Sequence, residues 1–149
     1  LGISSAKGLP RYQSVQNEFN LLNRGAYEGA VKDIVLREGL SLIPYYSLSA
    51  GFLTGKYRTE ADLDQGPRGT SVKRFMTERG MKVLAAMDEV AANTGATLAE
   101  IALAWVSAQP GVVGPLASAT SVKQLESLAR GARLQLGAED MARLTAAGA

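Results

Sequence analysis

Parallel strands packed against outer helices, an α/β arrangement, are what the amino-acid pattern of this chain favours. Short apolar runs recur along the 149 residues, and most are followed by apolar residues at helical spacing. Glycine and proline separate successive units, as they commonly do between regular elements. Repeated strand–helix units are typical of a parallel sheet.

The first part of the chain is expected to hold three strands and one helix. Residues 1–5 have the character of the end of a short buried strand. A second strand is predicted over residues 12–17, and a helix over residues 27–38 with Gly39 at a position typical of a helix end. An apolar run then predicts a strand over residues 40–45.

The second part is predicted to be mainly helical. A polar stretch over residues 59–69 is expected to be a mobile loop, and apolar spacing then predicts one helix over residues 71–93. Thr97 and Glu100 form a T-x-x-E capping box, which opens a helix that is apolar nearly all round and therefore buried. The remaining predicted elements are a strand over residues 112–117, a helix over residues 122–133 and a last helix from Ala138.

Composition limits the chemistry that this chain can supply. It carries a net charge of +2 and contains neither cysteine nor histidine. Disulfides, a Ser-His-Asp triad and the usual zinc ligands are therefore excluded, and no metal site is expected. Basic residues lack the interleaved aromatics of a nucleic-acid platform, and no apolar run is long enough to span a bilayer. A single-domain, cytoplasmic protein without a nucleic-acid or membrane partner is the simplest interpretation.

The most informative segment is residues 43–57, which continue from the predicted strand. An apolar run ends in Pro44, an aromatic residue follows, and small residues and glycine lead to Gly55 and Lys56. Strand ends of this kind hold ligands in barrels of alternating strands and helices. An aromatic face suits a heterocycle, and exposed backbone N–H groups suit a diphosphate. The alternative is a strand followed by an ordinary glycine-containing surface loop.

This segment resembles the strand-seven loop of the aldo-keto reductases, whose usual pattern is Pro-Tyr-Ser-Pro-Leu-Ala-Gly-Gly-x-Leu-Thr-Gly-Lys-Tyr. The resemblance implies that the chain is the C-terminal half of a (β/α)8 TIM barrel, strands five to eight, and that it binds NADP(H). It implies that Tyr45 stacks on the nicotinamide and that Lys56 and Arg68 approach the phosphates. The remaining cofactor contacts implied for this loop are Tyr46, Leu48 and Ser49.

A second matching segment follows the last predicted strand. Thr120 and Ser121 stand at a predicted helix start, where hydroxyls, N–H groups and the helix dipole favour an anion. The alternative is a simple Ser/Thr cap of the helix, which is commoner in general. The segment resembles the family's strand-eight motif, Gly-Ala-x-Ser-x-x-Gln-Leu-Glu-Glu-Asn, which holds the adenosine end of NADPH. The resemblance assigns that role to Thr120, Ser121, Gln124 and Ser127. Ser127 and Leu128 replace the motif's Glu-Asn pair, so a weaker hold on adenine is expected.

Three further positions are assigned by resemblance alone. Ser4 and Ser5 fall on the family's Ser-Asn pair at the end of strand five, and Gln16 falls on the glutamine at the end of strand six. In the family these side chains hold the nicotinamide carboxamide. Residues 16–21 resemble the signature Gln-x-x-Tyr-Asn-Leu, with Phe19 in the place of tyrosine.

Half of the family's barrel has no counterpart in this chain. The family's catalytic Asp, Tyr, Lys and His lie on strands one to four, so no catalytic residue is expected here. The residues between Ser5 and Gly8 are too few for the crossover that joins two parallel strands, which predicts a missing segment there. Unpaired strand edges predict that the chain is not a stable monomer and needs the N-terminal half of the barrel or a second chain.

The leading functional hypothesis is the NADP(H)-binding half of an oxidoreductase that transfers hydride between NADPH and an aldehyde or ketone. The alternative is a non-catalytic nucleotide-binding or regulatory module that resembles the channel accessory subunits of the family. A remnant without a ligand is a third hypothesis, although the intact strand-seven loop speaks against it. The sequence does not identify the carbonyl substrate.

Overall fold

Short parallel strands and longer helices make up the part of the chain that the computed structural model describes, residues 1–65 and 69–149. The elements are α1 (Gly2–Ala6), β1 (Ser14–Val15), α2 (Ala30–Arg37), β2 (Ser41–Leu42), two 3₁₀-helices (Ser49–Thr54 and Glu60–Gln65), α3 (Gly69–Lys73), α4 (Glu78–Thr94), α5 (Leu98–Ser107), α6 (Val122–Gly131) and α7 (Ala138–Ala147). Helices and strands alternate from α1 to β2, and helices follow from there to the end of the described residues.

The sheet is parallel and centred on β2. Strand β1 pairs with β2 in the register Ser14 to Ser41 and Val15 to Leu42. On the other side of β2, Val112 forms a parallel bridge with Leu42. The predicted strand over residues 112–117 is therefore present as an extended segment with one bridge rather than as a full strand. Three parallel segments with outer helices confirm the α/β prediction.

The core lies between this sheet and the helices, and its largest fully buried side chain is Trp105 of α5. The Trp105 ring lies 5.6 Å from that of Phe19, and the Phe19 ring lies 5.1 Å from that of Tyr27. The Trp105 Nε1 group donates a hydrogen bond of 3.0 Å to Thr145 Oγ1, which joins α5 to α7. Burying these rings supplies much of the apolar area that stabilises the fold.

Helix α5 has the buried character that its sequence predicts. Ile101 and Val106 are fully buried, and the predicted capping box is confirmed because Thr97 Oγ1 accepts from Glu100 N while Glu100 Oε2 accepts from Thr97 N. Within residues 1–65 and 69–149, no helix combines the length and the apolar character needed to cross a membrane.

The prediction of a strand at residues 1–5 is wrong, because these residues form helix α1. Lys7 N donates to Ile3 O, and Gly8 ends the turn with a φ of 61°. A strand needs a neighbour for its backbone groups, and the short connection to β1 does not allow the segment to reach the sheet in parallel. The backbone groups are instead satisfied locally by helical hydrogen bonds.

The prediction of one helix over residues 71–93 is also wrong, because the chain divides this stretch into α3 and α4. Thr77 adopts an extended conformation and caps α4 by accepting a hydrogen bond from Gly80 N. The first turn of α4 lies so close to the preceding segment that a Cβ at Gly80 would be 1.9 Å from Phe75 O. The apolar spacing continues across this break, which is why spacing alone did not reveal it.

The described part of the stretch predicted to be a mobile loop, residues 59–65 and 69, contains regular structure, while residues 66–68 lie outside the described residues. Residues Glu60–Gln65 form a 3₁₀-helix, and Gly69 begins α3. Asp62 caps the start of this turn, since its Oδ2 accepts hydrogen bonds from Arg58 N at 2.9 Å and Thr59 N at 2.7 Å. A polar composition therefore reflects side-chain capping here rather than an absence of structure.

Candidate functional site

A cleft of about 420 Å³ lies where β2 and the extended segment after Val112 end. The two chain segments meet at this point, because Leu116 N donates a hydrogen bond of 2.7 Å to Pro44 O. The cleft thus occupies the carboxyl ends of parallel strands, which is where ligands bind in α/β folds. It is lined by Tyr46, Ser47, Leu48, Ala50 and Gly51 after β2, by Ser71 of α3, and by Leu116, Ala117 and Ser118.

The backbone of the loop after β2 is strained. Tyr46, Ser49 and Ala50 have φ values of 61°, 49° and 59°, in the left-handed region that residues other than glycine rarely adopt. Gly51 follows with a φ of 100°. Such strained residues persist only where the surrounding structure holds them, and they cluster at ligand-binding sites.

Two buried serine hydroxyls in this loop have no hydrogen-bond partner. Ser47 and Ser49 are 2% and 0% exposed, and the Oγ atoms of both are unpaired among the described residues. A buried hydroxyl without a partner costs about 1–3 kcal/mol. Ser47 is one of the residues that line the cleft, so its buried, unpaired hydroxyl lies within the cleft wall. This is the strongest structural indication that the cleft holds a ligand.

The cleft is bordered by positive charge. The Arg74 guanidinium lies 5.7 Å from the centre of the Tyr46 ring, and Tyr46 lines the cleft. The stem of Lys56 passes beside Gly51, where an added Cβ would lie 3.9 Å from Lys56 Cε. Lys56 Nζ itself lies 4.8 Å from the centre of the Tyr57 ring. Two cations at the rim favour an anionic ligand.

The predicted stacking aromatic, Tyr45, is next to the cleft but does not line it. Its side chain is 43% exposed, and its ring lies 6.5 Å from the Tyr46 ring at an angle of 84°. Its backbone is fixed, since Tyr45 N donates to Asn17 O and Tyr45 O accepts from Phe19 N. Tyr45 therefore presents an open ring at the strand end, and stacking on a nicotinamide stays a prediction.

The predicted adenosine seat lies at the start of α6. Thr120 N and Thr120 Oγ1 both donate to Gln124 Oε1, at 2.8 and 3.1 Å, and Ser121 caps the helix by accepting from Gln124 N. The structure thus brings Thr120, Ser121 and Gln124 into one exposed cluster, a short distance along the chain from the cleft residue Ser118. Their contact with a cofactor stays a prediction.

The hydroxyl of Ser127 has another partner. Ser127 Oγ donates a hydrogen bond of 2.9 Å to Glu100 Oε1 on α5, and Arg130 Nε donates to the same oxygen at 2.9 Å. The Glu100 side chain is buried, and it is held by three hydrogen bonds in all when the one from Thr97 N is included. Ser127 thus joins α6 to α5, and its predicted contact with adenine remains untested.

The ionised form of Glu100 is stabilised in the folded protein. Burial by itself raises the pKa of this carboxyl, but the hydrogen bonds from Thr97 N, Ser127 and Arg130, with the charge of Arg130, lower the pKa below 4.5 overall. A carboxyl whose pKa is depressed on folding contributes stability above its unfolded pKa, and this contribution is lost as the pH falls through the folded pKa.

Replacing Glu100 by glutamine is expected to lower the free energy of unfolding at neutral pH by about 1–3 kcal/mol, because charged hydrogen bonds between α5 and α6 are lost. Urea unfolding followed by circular dichroism measures the change. The difference between variant and parent should shrink as the pH is lowered below 4.5. Glu126→Gln, at an exposed position of α6, is the control and should change little. An equal loss in both variants, or a pH-independent loss, would contradict this account.

The structure does not bring Ser4 and Ser5 to the cleft. Both line a separate cavity with Arg11 and Glu38, and Glu38 follows α2 at the end of the sheet where β2 begins. Because α1 replaces the predicted strand, these serines lie at the opposite end of the strands from Tyr45. In this arrangement the expected grouping with the other nicotinamide contacts is not formed.

The predictions for Gln16 and Arg68 have different outcomes. Gln16 is exposed and directly follows β1, at the same end of the sheet as the cleft. Its position agrees with the predicted site, while its contact with a carboxamide stays a prediction. Arg68 lies outside the described residues.

Sequence reasoning missed Ser47 and Asn20 as parts of the site. Ser47 stands where the resembling loop pattern has proline, so the pattern itself drew attention away from it. Asn20 is fully buried and donates from Nδ2 to Tyr46 O at 3.1 Å. The available signal was the match of Asn20 to the asparagine of the signature Gln-x-x-Tyr-Asn-Leu over residues 16–21.

Parallel strands whose carboxyl ends frame a cleft define this chain as an α/β protein with a cleft at the position where barrels of alternating strands and helices bind ligands. The model of the aldo/keto reductase family matches residues 3–149. The chain belongs to the aldo/keto reductase family.

Its relatives in other organisms agree with this assignment. Protein tas of Escherichia coli (strain K12) is 34% identical over 98% of this chain and 42% of its own length. L-glyceraldehyde 3-phosphate reductase of Escherichia coli (strain K12) is 30% identical over 74% of this chain and 34% of its own length. The chloroplastic pyridoxal reductase of Arabidopsis thaliana is 32% identical over 76% of this chain and 30% of its own length. The chain spans less than half the length of these relatives.

A solved structure confirms the fold. A crystal structure of a thermostable aldo-keto reductase, in complex with the inhibitor epalrestat, matches with a TM-score of 0.70 and 21% sequence identity. The match covers 99% of this chain and 44% of that chain. The prediction of a partial TIM barrel is therefore confirmed.

Proposed function

We propose that this chain is the NADP(H)-binding half of an aldo-keto reductase that transfers hydride between NADPH and an aldehyde or ketone. The observation that carries the proposal is the unpaired, buried Ser47 hydroxyl in the wall of a cleft at the strand ends. Family membership and oxidoreductase relatives support the class of reaction. The proposal includes NADPH as the cofactor, a carbonyl compound as the substrate and the N-terminal half of the barrel as the partner. It also includes the predicted cytoplasmic location.

The residues in and around the cleft fit a dinucleotide with a diphosphate. Ser47 has a hydroxyl without a partner among the described residues, and Lys56 and Arg74 place positive charge at the rim. Tyr45 offers an exposed ring at the end of β2 for a flat heterocycle. The cluster of Thr120, Ser121 and Gln124 would hold the adenosine end. When bound, NADPH supplies the hydride; these residues bind and orient it.

The remaining parts of the reaction fall to residues outside this chain. The aldo-keto reductase resemblance assigns proton donation to strands one to four, so this half contributes binding and orientation only. Orientation alone is a large part of catalysis, because fixing two reactants in one geometry removes much of the entropic barrier.

A fluorescence titration with NADPH tests the proposal. We expect saturable binding to the chain, and turnover of a simple aldehyde only after the N-terminal half of the barrel is added, because the proton donor lies there. Binding without turnover in the completed barrel would favour a non-catalytic nucleotide-binding module instead. No binding at millimolar NADPH, either alone or in the completed barrel, would contradict the proposal.

A further inference from the structure

Asn20 is the polar side chain that joins the segment after β1 to the cleft loop. It is fully buried, and its amide makes three hydrogen bonds. Nδ2 donates to Tyr46 O at 3.1 Å, while Oδ1 accepts from Leu22 N at 2.9 Å and Asn23 N at 2.8 Å. A donor on one side and an acceptor on the other fix the orientation of the amide.

The two sides of this amide serve different purposes. The acceptor side closes a turn in its own segment, where Asn20 N and Asn23 O, and Asn23 N and Asn20 O, are also bonded, at 3.1 and 3.2 Å. The turn therefore has its own backbone hydrogen bonds. The donor side reaches 26 residues along the chain to Tyr46 O, the carbonyl of a residue with a φ of 61°.

The Tyr46 carbonyl is where the strained loop is held. It accepts from Asn20 Nδ2 and also from Ser49 N, at 2.8 Å. Ser49 and Ala50 continue the left-handed backbone, and Ser47, which lies between Tyr46 and Ser49, lines the cleft. A change in the peptide after Tyr46 would therefore move the Ser47 hydroxyl.

We propose that Asn20 is a positioning residue for the cleft. By holding the Tyr46 carbonyl, it keeps Tyr46 in the left-handed conformation and so places the Ser47 hydroxyl in the cleft wall. Asn20 does not line the cleft and acts through Tyr46. The inference rests on the proposed function, because the ligand that it prepares the cleft for is NADPH.

Replacing Asn20 by aspartate separates the two sides of the amide. The isosteric N20D variant keeps an acceptor for Leu22 N and Asn23 N, and replaces the donor to Tyr46 O by a second acceptor. We expect the Kd for NADPH to rise about fivefold, because the loop spends less time in the binding geometry.

A second substitution shows whether the effect passes through Tyr46. Glycine adopts a φ near +60° without the steric cost of a side chain, so Y46G removes the need for the conformation to be held. In the Y46G background, N20D should change the Kd by less than about twofold. An unchanged fivefold effect would overturn the proposal, because Asn20 would then act by another route. Should N20D not fold alone, recovery of folding in N20D/Y46G supports the proposal, and failure of both overturns it.

Hydrogen exchange of the ligand-free protein gives a readout that does not depend on NADPH. We expect amides of residues 46–54 to exchange faster in N20D than in the parent, while those of α5 stay protected. Unchanged exchange in this loop would overturn the inference even if the parent binds NADPH. If the parent does not bind NADPH, the proposed function fails, and faster exchange would still show that Asn20 holds the loop.

Discussion

Replacing Trp105 by alanine is expected to lower the free energy of unfolding by about 3–5 kcal/mol. The indole is fully buried and lies against Phe19 at 5.6 Å between ring centres. The Arg24 guanidinium lies 5.8 Å from the indole ring, and the indole N–H donates to Thr145 Oγ1. Alanine would leave a large cavity between α5 and α7 and remove the hydrogen bond that joins these helices.

Urea unfolding followed by circular dichroism measures this loss, since the variant lacks the only tryptophan for fluorescence. Trp105→Phe is the matched control, because it keeps an aromatic ring and loses the N–H and part of the volume. It should cost about 1–3 kcal/mol. Tyr12→Ala, at a side chain 73% exposed, should cost less than about 0.5 kcal/mol. A loss for Trp105→Ala no greater than that for Trp105→Phe would show that the indole is not central to the core.

The elements that could be predicted are those whose signals are local. The Thr97 and Glu100 capping box involves residues three apart, and its hydrogen bonds form within one turn. Gly95 ends α4 with a φ of 71°, a conformation that glycine adopts readily. The loop after β2 was found for the same reason, since its glycines and small residues follow directly from a buried strand.

The elements that could not be predicted depend on distant partners. Residues 1–5 have the composition of a strand, but a strand forms only where a neighbouring chain segment can accept it. The break before Glu78 is set by Thr77, whose capping hydrogen bond competes with continuation of an apolar pattern that is unbroken in the sequence. The site residues also divide into local and distant ones. Tyr45 and Lys56 lie in a local motif, whereas Asn20 forms a hydrogen bond with Tyr46, 26 residues away.

Ser47 is a residue whose importance the loop motif does not reveal and the structure does. A serine is common in loops, and no spacing rule distinguishes a solvated hydroxyl from a buried one that lacks a partner. Only the packing around the loop shows that Ser47 is 2% exposed and that its hydroxyl has no partner among the described residues. The buried Ser47 hydroxyl lowers the stability of the ligand-free protein. Removing this hydroxyl should therefore raise or maintain stability while it weakens ligand binding.

Replacing Ser47 by alanine is therefore expected to weaken NADPH binding by about tenfold while leaving the protein as stable as before or more stable by about 1 kcal/mol. The affinity is expected to fall because the proposed hydrogen bond from Ser47 to a charged phosphate oxygen is lost, and hydrogen bonds to charged groups are stronger than neutral ones. The stability does not fall, because the hydroxyl has no partner among the described residues. The single variant S49A should change the affinity less than S47A does, because Ser49 is fully buried and does not line the cleft.

Fluorescence titration with NADPH and thermal unfolding of the same samples measure the two effects together. Ser107→Ala is the control, because Ser107 ends α5 before the extended segment begins and so lies at the other end of the sheet from the cleft. It should leave the affinity unchanged. Parallel losses of stability and affinity in S47A would mean that the hydroxyl supports the fold rather than a ligand. Equal affinities of S47A and the parent would contradict the proposed phosphate-binding role of this loop, since the unpaired hydroxyl distinguishes it from an ordinary surface turn.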